Sequence, residues 1–411
     1  MNFLYNIAIS AYRLGVNVVA HRNEKAKKML AGQSQTLKVI QEKIKPDEKY
    51  IWIHASSLGE FEQGRPFIEL IKRNNPQQKI ILTFFSPSGY EVKKNYPNAD
   101  IICYLPFDLP RNVTRFLDLI KPSMAVFIKY EFWGNYLEQL KKRNIPTYLI
   151  SAIFRPTQLF FKPYGGMFRN MLKCYTAIFV QDEKSNQLLS SIGIHNMKIT
   201  GDTRFDRVTD ILSVCKKLPL VESFSQQSPF TLIAGSSWQA DEDIFIPYFN
   251  SHPEMKLIIA PHELSTERLD NIKSRITRPV ILYSQADEDS IKKADCLILD
   301  CFGILSSSYR YADVAYIGGG FGVGIHNINE AAVYGIPVIF GPNYSKFKEA
   351  HDLIASGGGF SINDSDYFSK LITSFITDKD YLKIHGKVAG DYIRNNIGAT
   401  KRIYNYIFPS I

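Results

Sequence analysis

The stretch 312–342 constrains this chain more than any other. Residues 312–317 form an apolar run that reads as a short buried strand. Gly318, Gly319, Gly320, Gly322 and Gly324 follow, five glycines within seven residues. Residues 326–334 then read as a helix, with Asn327 as its cap and Glu330 three residues on. Gly335 ends that helix, and residues 336–340 read as the next strand, where Pro337 is tolerable near the start. The result is a βαβ unit with a bare-backbone loop at the carboxyl end of a strand, where a parallel sheet binds a nucleotide or sugar phosphate. A tight turn is the plainer account, but the glycines are too dense for a turn alone.

Similar strands recur on both sides. Residues 50–54, 79–85, 101–105, 124–128, 147–151 and 176–180 read as strands separated by helix-length segments, which implies an open parallel sheet. The pattern restarts at 231–237 and continues through 256–260 and 296–300. At 411 residues the chain is long enough for two full cores. The expected organisation is an amphipathic segment at 1–30, a first domain at 31–205, a linker at 206–229, a second domain at 230–395 and a tail at 396–411 that returns to the first domain. Within the linker a polar helix is expected at 206–217 and a loose stretch at 223–229.

The formal charge of +9 fits an anionic partner: nucleic acid, an acidic membrane face or a phosphorylated substrate. No nucleic-acid motif accompanies the charge. The five cysteines form no Cys-x-x-Cys pair and no metal-like cluster, which fits a reducing compartment without structural zinc. At the amino end Phe3, Leu4, Ile7, Ala11, Leu14 and Val18 fall at helical spacing, and Asn2, Asn6, Ser10, Arg13 and Asn17 trace a polar stripe. The polar stripe argues against a membrane span, and the lack of a preceding basic segment argues against a secretory signal. Arg22, Lys25, Lys27 and Lys28 come next, so the segment reads as an interfacial anchor for an anionic membrane. A surface helix packed on the domain is the alternative.

Glu60 stands out among the polar residues. It closes the loop Ser56-Ser57-Leu58-Gly59-Glu60 after a strand, and Gly59 allows close approach of a ligand. A carboxylate opening a helix favours its ionised form, as a general base must; a cap partner is the plainer role. Glu131 also follows a strand, among aromatics, and suits either sugar binding or an ion pair. His54 begins the Glu60 loop as a candidate buried histidine, and His262 lies at a second-domain strand end within reach of a phosphate or base. No Ser-His-Asp or Cys-His ordering is present, nor is a P-loop motif. The glycines at 318–324 lack the acidic residue of a dinucleotide site.

The ordered landmarks together resemble the bacterial Kdo transferases, which move 3-deoxy-D-manno-octulosonic acid (Kdo) from its CMP-activated donor onto the glucosamine disaccharide of a lipid A precursor. They are the apolar amino-terminal segment, residues 54–60, residues 130–135, Thr200-Gly201-Asp202-Thr203-Arg204-Phe205-Asp206, Ala234-Gly235-Ser236-Ser237, Pro261-His262 and residues 318–330. The resemblance spans essentially the whole chain. It implies an α/β GT-B fold: two doubly wound Rossmann-like domains facing across a cleft, with an amino-terminal membrane-associating helix. The acceptor would lie on the first domain and the CMP-sugar largely on the second.

By that resemblance Glu60 is the catalytic base. His326, Asn327 and Glu330 match the family's His-Asn-x-x-Glu on the donor side, with Glu330 the ribose ligand and Asn327 beside the phosphate, and Gly318, Gly319 and Gly320 let backbone amides approach the nucleotide. Ser236, Ser237 and His262 face the same pocket. His54, Ser57, Gly59, Glu131 and Arg204 belong to the acceptor or phosphate region. No metal and no cofactor is implied, CMP-Kdo being the donor substrate. The partners would be the lipid A precursor and an anionic membrane surface, on the cytoplasmic face of the bacterial inner membrane, peripheral or anchored by the amino-terminal segment. Departures from the family pattern are Lys129 for an acid, Arg155 displaced by two positions, Pro261 for an arginine, and Arg204 for a lysine. Another GT-B nucleotide-sugar enzyme, such as an epimerase, and a non-catalytic membrane or glycan binder are the rival readings.

Overall fold

The computed structural model describes residues 3–213 and 215–409. The chain divides into two compact units, Met1–Asp206 with Gly398–Ile411, and Arg207–Ile397. In the first unit seven parallel strands form one sheet: β1 (Tyr50–Ala55), β2 (Lys79–Phe84), β3 (Ile101–Tyr104), β4 (Met124–Ile128), β5 (Thr147–Ala152), β6 (Ala177–Val180) and β7 (Met197–Ile199). Their order is β3-β2-β1-β4-β5-β6-β7, so the winding reverses between β1 and β4. The central strands are buried along almost their whole length because helices cover both faces. Successive side chains feed opposite cores. Trp52 and Phe127 pack with Phe116 and Tyr136 on one face. Ile53 and Val126 pack with Phe61 and Phe67 on the other.

The carboxyl-terminal helix Ala399–Ile407 belongs to this unit and buries Ile403 and Ile407 in the second of those cores. Asp206 accepts the amides of Gly398 and Thr400 at its start, and Arg402 donates to the Thr200 carbonyl. The amino-terminal helix Phe3–Val19 is held by Tyr5, whose hydroxyl donates to Asp108 at 2.6 Å and accepts the Gly134 amide. Asn6 accepts from Asn135. Tyr5 and Asn6 therefore supply docking contacts, while Phe3, Leu4, Leu14 and Val18 stay 65–79% exposed.

The second unit holds β8 (Thr231–Ser237), β9 (Lys256–Pro261), β10 (Val280–Leu282), β11 (Cys296–Ile298), β12 (Val314–Ile317), β13 (Val338–Phe340) and β14 (Gly359–Ser361). All pair in parallel in the order β10-β11-β9-β8-β12-β13-β14, with the reversal between β8 and β12. Two such sheets with interleaved helices make a GT-B-like pair of Rossmann-type units.

Some local expectations need correction. The helix expected over 326–334 is the single turn Asn329–Ala332; Asn327 accepts the Asn329 amide from outside it. A lone turn has too few aligned peptides to lend the loop a helix-end dipole. The linker helix runs Arg204–Ser213, and part of the loose stretch is the helix Pro219–Ser225, which buries Val221 and Phe224. The pattern also missed β7, β10 and β14. Each is a three-residue edge strand, and short edges carry too little apolar sequence to register.

Candidate active site

The loop after β1 and the loop after β4 meet at the first switch point, where an open parallel sheet receives ligands. Ser57 caps the helix Leu58–Asn74, but its hydroxyl donates to the Glu60 carboxylate instead of accepting a helix amide. Glu60 thus sits half-buried in the first turn of a long helix, with one oxygen bound by Ser57 and its charge near the positive helix end.

Glu131 lies deeper, 4% exposed, and Oε2 accepts from Ser56 at 2.8 Å and from the Trp133 indole. His54, fully buried, places Nε2 3.1 Å from the same oxygen, off the hydrogen-bond direction. Its Nδ1 lies 2.8 Å from the Thr83 hydroxyl, which also accepts from Trp52. Glu131 is therefore tied to the Glu60 loop through Ser56, and its Oε2 is occupied by protein donors. Residue 129 takes a left-handed conformation (φ +69°) just beyond β4, a strained geometry for lysine.

Arg204 pairs with Asp202 through Nε at 2.8 Å and Nη2 at 2.7 Å. Asp202 also accepts from Gln63, on the helix that Glu60 opens. Thr203 bonds Ser151, another left-handed residue (φ +53°), and donates to the Gln63 carbonyl. Tyr130 stands among these charges. Burial pushes its phenol up, Arg155 and Arg204 pull it down, and Glu60 and Asp202 raise it again. The displaced Arg155 and the substituted Arg204 therefore both act on the same half-buried tyrosine. Gln63, Asp202 and Tyr130 escaped the sequence reading as site residues, although Asp202 and Tyr130 lie in the quoted landmarks.

At the second switch point the glycines are spent largely on the protein itself. A Cβ on Gly318 would lie 2.3 Å from the Ser236 carbonyl oxygen, and one on Gly320 would lie 2.5 Å from the Gly341 nitrogen. The Gly318 amide donates to Gly235 O, and the Gly319 amide donates to Asp241 at 2.8 Å. Of the three glycine amides, only that of Gly320 lacks a protein acceptor among the described residues. Asp241, 1% exposed, also accepts from Trp238 N and the Tyr316 hydroxyl, so one carboxylate joins the ends of β8 and β12.

Ser236 is left-handed (φ +54°) and half-exposed. Ser237 is fully buried and donates to Glu242, which also pairs with Arg268 and Arg275. Ser237 therefore faces inward, away from the expected pocket, and both arginines are engaged where Pro261 removes a third. His262 stacks between Trp238 at 4.4 Å and His326 at 4.8 Å. Burial, then the neighbouring His262, holds His326 below the usual imidazole range, against Asp241. His326 Nε2 is buried without a partner among the described residues, and Asn327 donates to Glu330 at 2.9 Å. The second site thus offers a ring stack, an orphaned imidazole nitrogen and an adjacent amide–carboxylate pair. No group of three or more metal-ligating side chains occurs among the described residues.

The sequence profile of the family described as 3-deoxy-D-manno-octulosonic-acid transferase (kdotransferase) matches residues 31–207. The 3-deoxy-D-manno-octulosonic acid transferase of Haemophilus influenzae is 24% identical over 379 residues, covering 89% of this chain and 88% of that protein. The Aquifex aeolicus protein of the same name is 26% identical over 355 residues, covering 84% and 91%. Among solved structures, UDP-GlcNAc 2-epimerase from Neisseria meningitidis bound to UDP-GlcNAc superposes with a TM-score of 0.59 at 15% identity, over 88% of this chain and all of that one. At that identity the likeness speaks for the fold alone.

Proposed function

Because the chain belongs to the family of 3-deoxy-D-manno-octulosonic acid transferases, and is therefore a GT-B glycosyltransferase that uses a nucleotide sugar, we propose that it moves Kdo from CMP-Kdo onto the glucosamine disaccharide of a lipid A precursor. The observation that carries the reading is the carboxylate of Glu60 at the first unit's switch point, fixed by Ser57 at the head of a seventeen-residue helix. Glu60 takes the proton from the acceptor's sugar hydroxyl, and that oxygen attacks the anomeric carbon as CMP departs with inversion. Tyr130, Arg155 and Arg204 meet the acceptor's anionic groups nearby. In the second unit, Glu330 and Asn327 hold the ribose and phosphate side of the nucleotide. The Trp238–His262–His326 stack supplies flat surface and imidazole donors for the same ligand. Ser236 and the Gly320 amide complete that wall.

The amino-terminal helix serves the same reaction. Its exposed apolar residues beside Arg22, Lys25, Lys27 and Lys28 suit the surface of an anionic bilayer. No described helix is long and apolar enough to cross a membrane. We place the chain on the cytoplasmic face of the inner membrane as a peripheral protein.

The test supplies CMP-Kdo, made in situ, with a tetraacylated lipid A precursor and weighs the lipid by mass spectrometry. Wild type is expected to add Kdo and Glu60→Ala to add almost none. Near-normal transfer by the variant would remove Glu60 from its role. Transfer from a UDP-sugar in place of CMP-Kdo would move the chain to another GT-B reaction. Flotation with anionic vesicles, with and without residues 1–20, tests the anchor; equal flotation would overturn it.

A further inference from the structure

A groove of about 450 Å³ opens between the amino-terminal helix, the helix Glu24–Lys43 and the end of β2. Its wall is apolar, with Tyr12, Val16, Met29 and Phe85 prominent, and Lys25 is the one charged residue on it. That size and lining suit a small apolar ligand carrying one anionic end.

Gly15 lines the groove without filling it. A glycine within a helix costs about 1 kcal/mol relative to alanine, so it calls for a local reason. Gly32, on the next helix, has one: its Cβ would lie 2.2 Å from the Tyr104 ring. Gly15 has none of that kind, since its Cβ would meet nothing within 4 Å and would project into open space. The bare position leaves the groove free.

The end of the groove formed by Phe85 and Ser86 is bonded to the loop that leads to Glu60. The amides of Phe85 and Ser86 donate to the Ser56 carbonyl at 3.2 and 2.7 Å, and the Ser56 hydroxyl binds Glu131. Phe85 also packs on Trp133 at 4.8 Å, beside the same carboxylate. One wall of the groove is therefore fixed to the loop that carries Glu60.

The geometry points to this groove as the seat of one fatty acyl chain of the lipid acceptor, with Lys25 at its rim meeting the acceptor's phosphate. The assignment rests on the acceptor proposed above. It makes acyl recognition a property of the protein's own surface, separate from residence on the membrane. Phe3, Leu4, Leu14 and Val18 meet the bilayer, and the neighbouring stripe of Tyr12, Val16 and Val19 holds a single chain.

The experiment plugs the groove. kcat/KM is measured for the acylated precursor and for its deacylated disaccharide bisphosphate, with wild type and Gly15→Phe. Wild type is expected to favour the acylated acceptor by about tenfold or more, and Gly15→Phe to lose about tenfold of that preference. An unchanged preference would overturn the groove, as would a matching loss of vesicle flotation, which would assign the effect to the membrane face. Ala26→Phe, from the opposite helix, repeats the plug should Gly15→Phe fail to fold.

A second readout does not depend on the reaction: cross-linking of a fatty acid bearing a terminal diazirine, mapped by peptide mass. Label on groove residues that disappears in Gly15→Phe supports the site. Label confined to residues 3, 4, 7 and 14 overturns it. If wild type transfers nothing, the acceptor reading falls, and the label alone then decides the groove.

Discussion

At the ends of β1 and β4 the first unit gathers side chains: Glu60 held by Ser57, and Glu131 bound by Ser56 and Trp133 beside His54. At the ends of β8 and β12 the second unit gathers backbone: Gly318 against Ser236, Gly320 against Gly341, and Asp241 fastened to the Gly319 amide. The topology is similar, but the materials differ. Side chains at a strand end supply groups that gain and lose protons, which is what an attacking hydroxyl requires. A close-packed glycine loop supplies a rigid wall with few free donors, which suits the proposed leaving-group side because a rigid wall costs little reorganisation. One carboxylate in each half is structural. Glu131 steadies the loop of Glu60, and Asp241 steadies the glycines.

The largest expected effect lies on the first side of this contrast. Glu60→Gln keeps the shape and removes the base, so kcat should fall by roughly 10² to 10⁴, while CMP binding measured by calorimetry stays near wild type. A parallel loss of CMP affinity would break the division of labour. Next, Asp241→Ala leaves Trp238 N, Gly319 N and the Tyr316 hydroxyl without their shared acceptor. It should cost the second unit roughly 3 kcal/mol in urea unfolding and weaken CMP binding, with the first unit's transition unmoved.

The halves should also respond to pH with opposite sign. Asp108, buried beneath the amino-terminal helix, is pushed up to about 6 from an ordinary 3.8, burial being the main cause. The folded state therefore holds its proton longer, and stability is lost as pH rises from about 4 to about 6, by roughly 3 kcal/mol relative to Asp108→Asn. His326 is lowered, so the unfolded chain takes its proton first, and the second unit loses stability as pH falls through the ordinary 6.5. Urea midpoints of wild type, Asp108→Asn and His326→Gln between pH 4 and 8 read both signs, and parallel profiles would remove the contrast. The smallest effect is expected from Glu131→Gln, which keeps an acceptor for Ser56: about 1–2 kcal/mol of first-unit stability and a modest fall in kcat.

The central strands and both switch-point loops were legible in the sequence, because strands buried on two faces must be continuous apolar runs and glycine clusters mark sharp turns after them. Glu60 was legible as a candidate through its place after a strand and before a helix. Its role came with the resemblance to a family. The edge strands β7, β10 and β14 were not legible, since three half-covered residues leave no pattern. Nor did any local signal show that Ser237 turns inward to Glu242 or that the Gly318 and Gly319 amides are already spent.

Taken alone, the sequence determined two parallel sheets, their switch-point loops and the amphipathic first helix. Each follows from residues within a few positions of one another. Only the tertiary structure decided which polar groups remain for a ligand. Ser56 meets Glu131 across 75 residues and Asp241 meets Gly319 across 78. Local periodicity says whether a side chain can be buried, but the partner that satisfies it arrives from a distant strand.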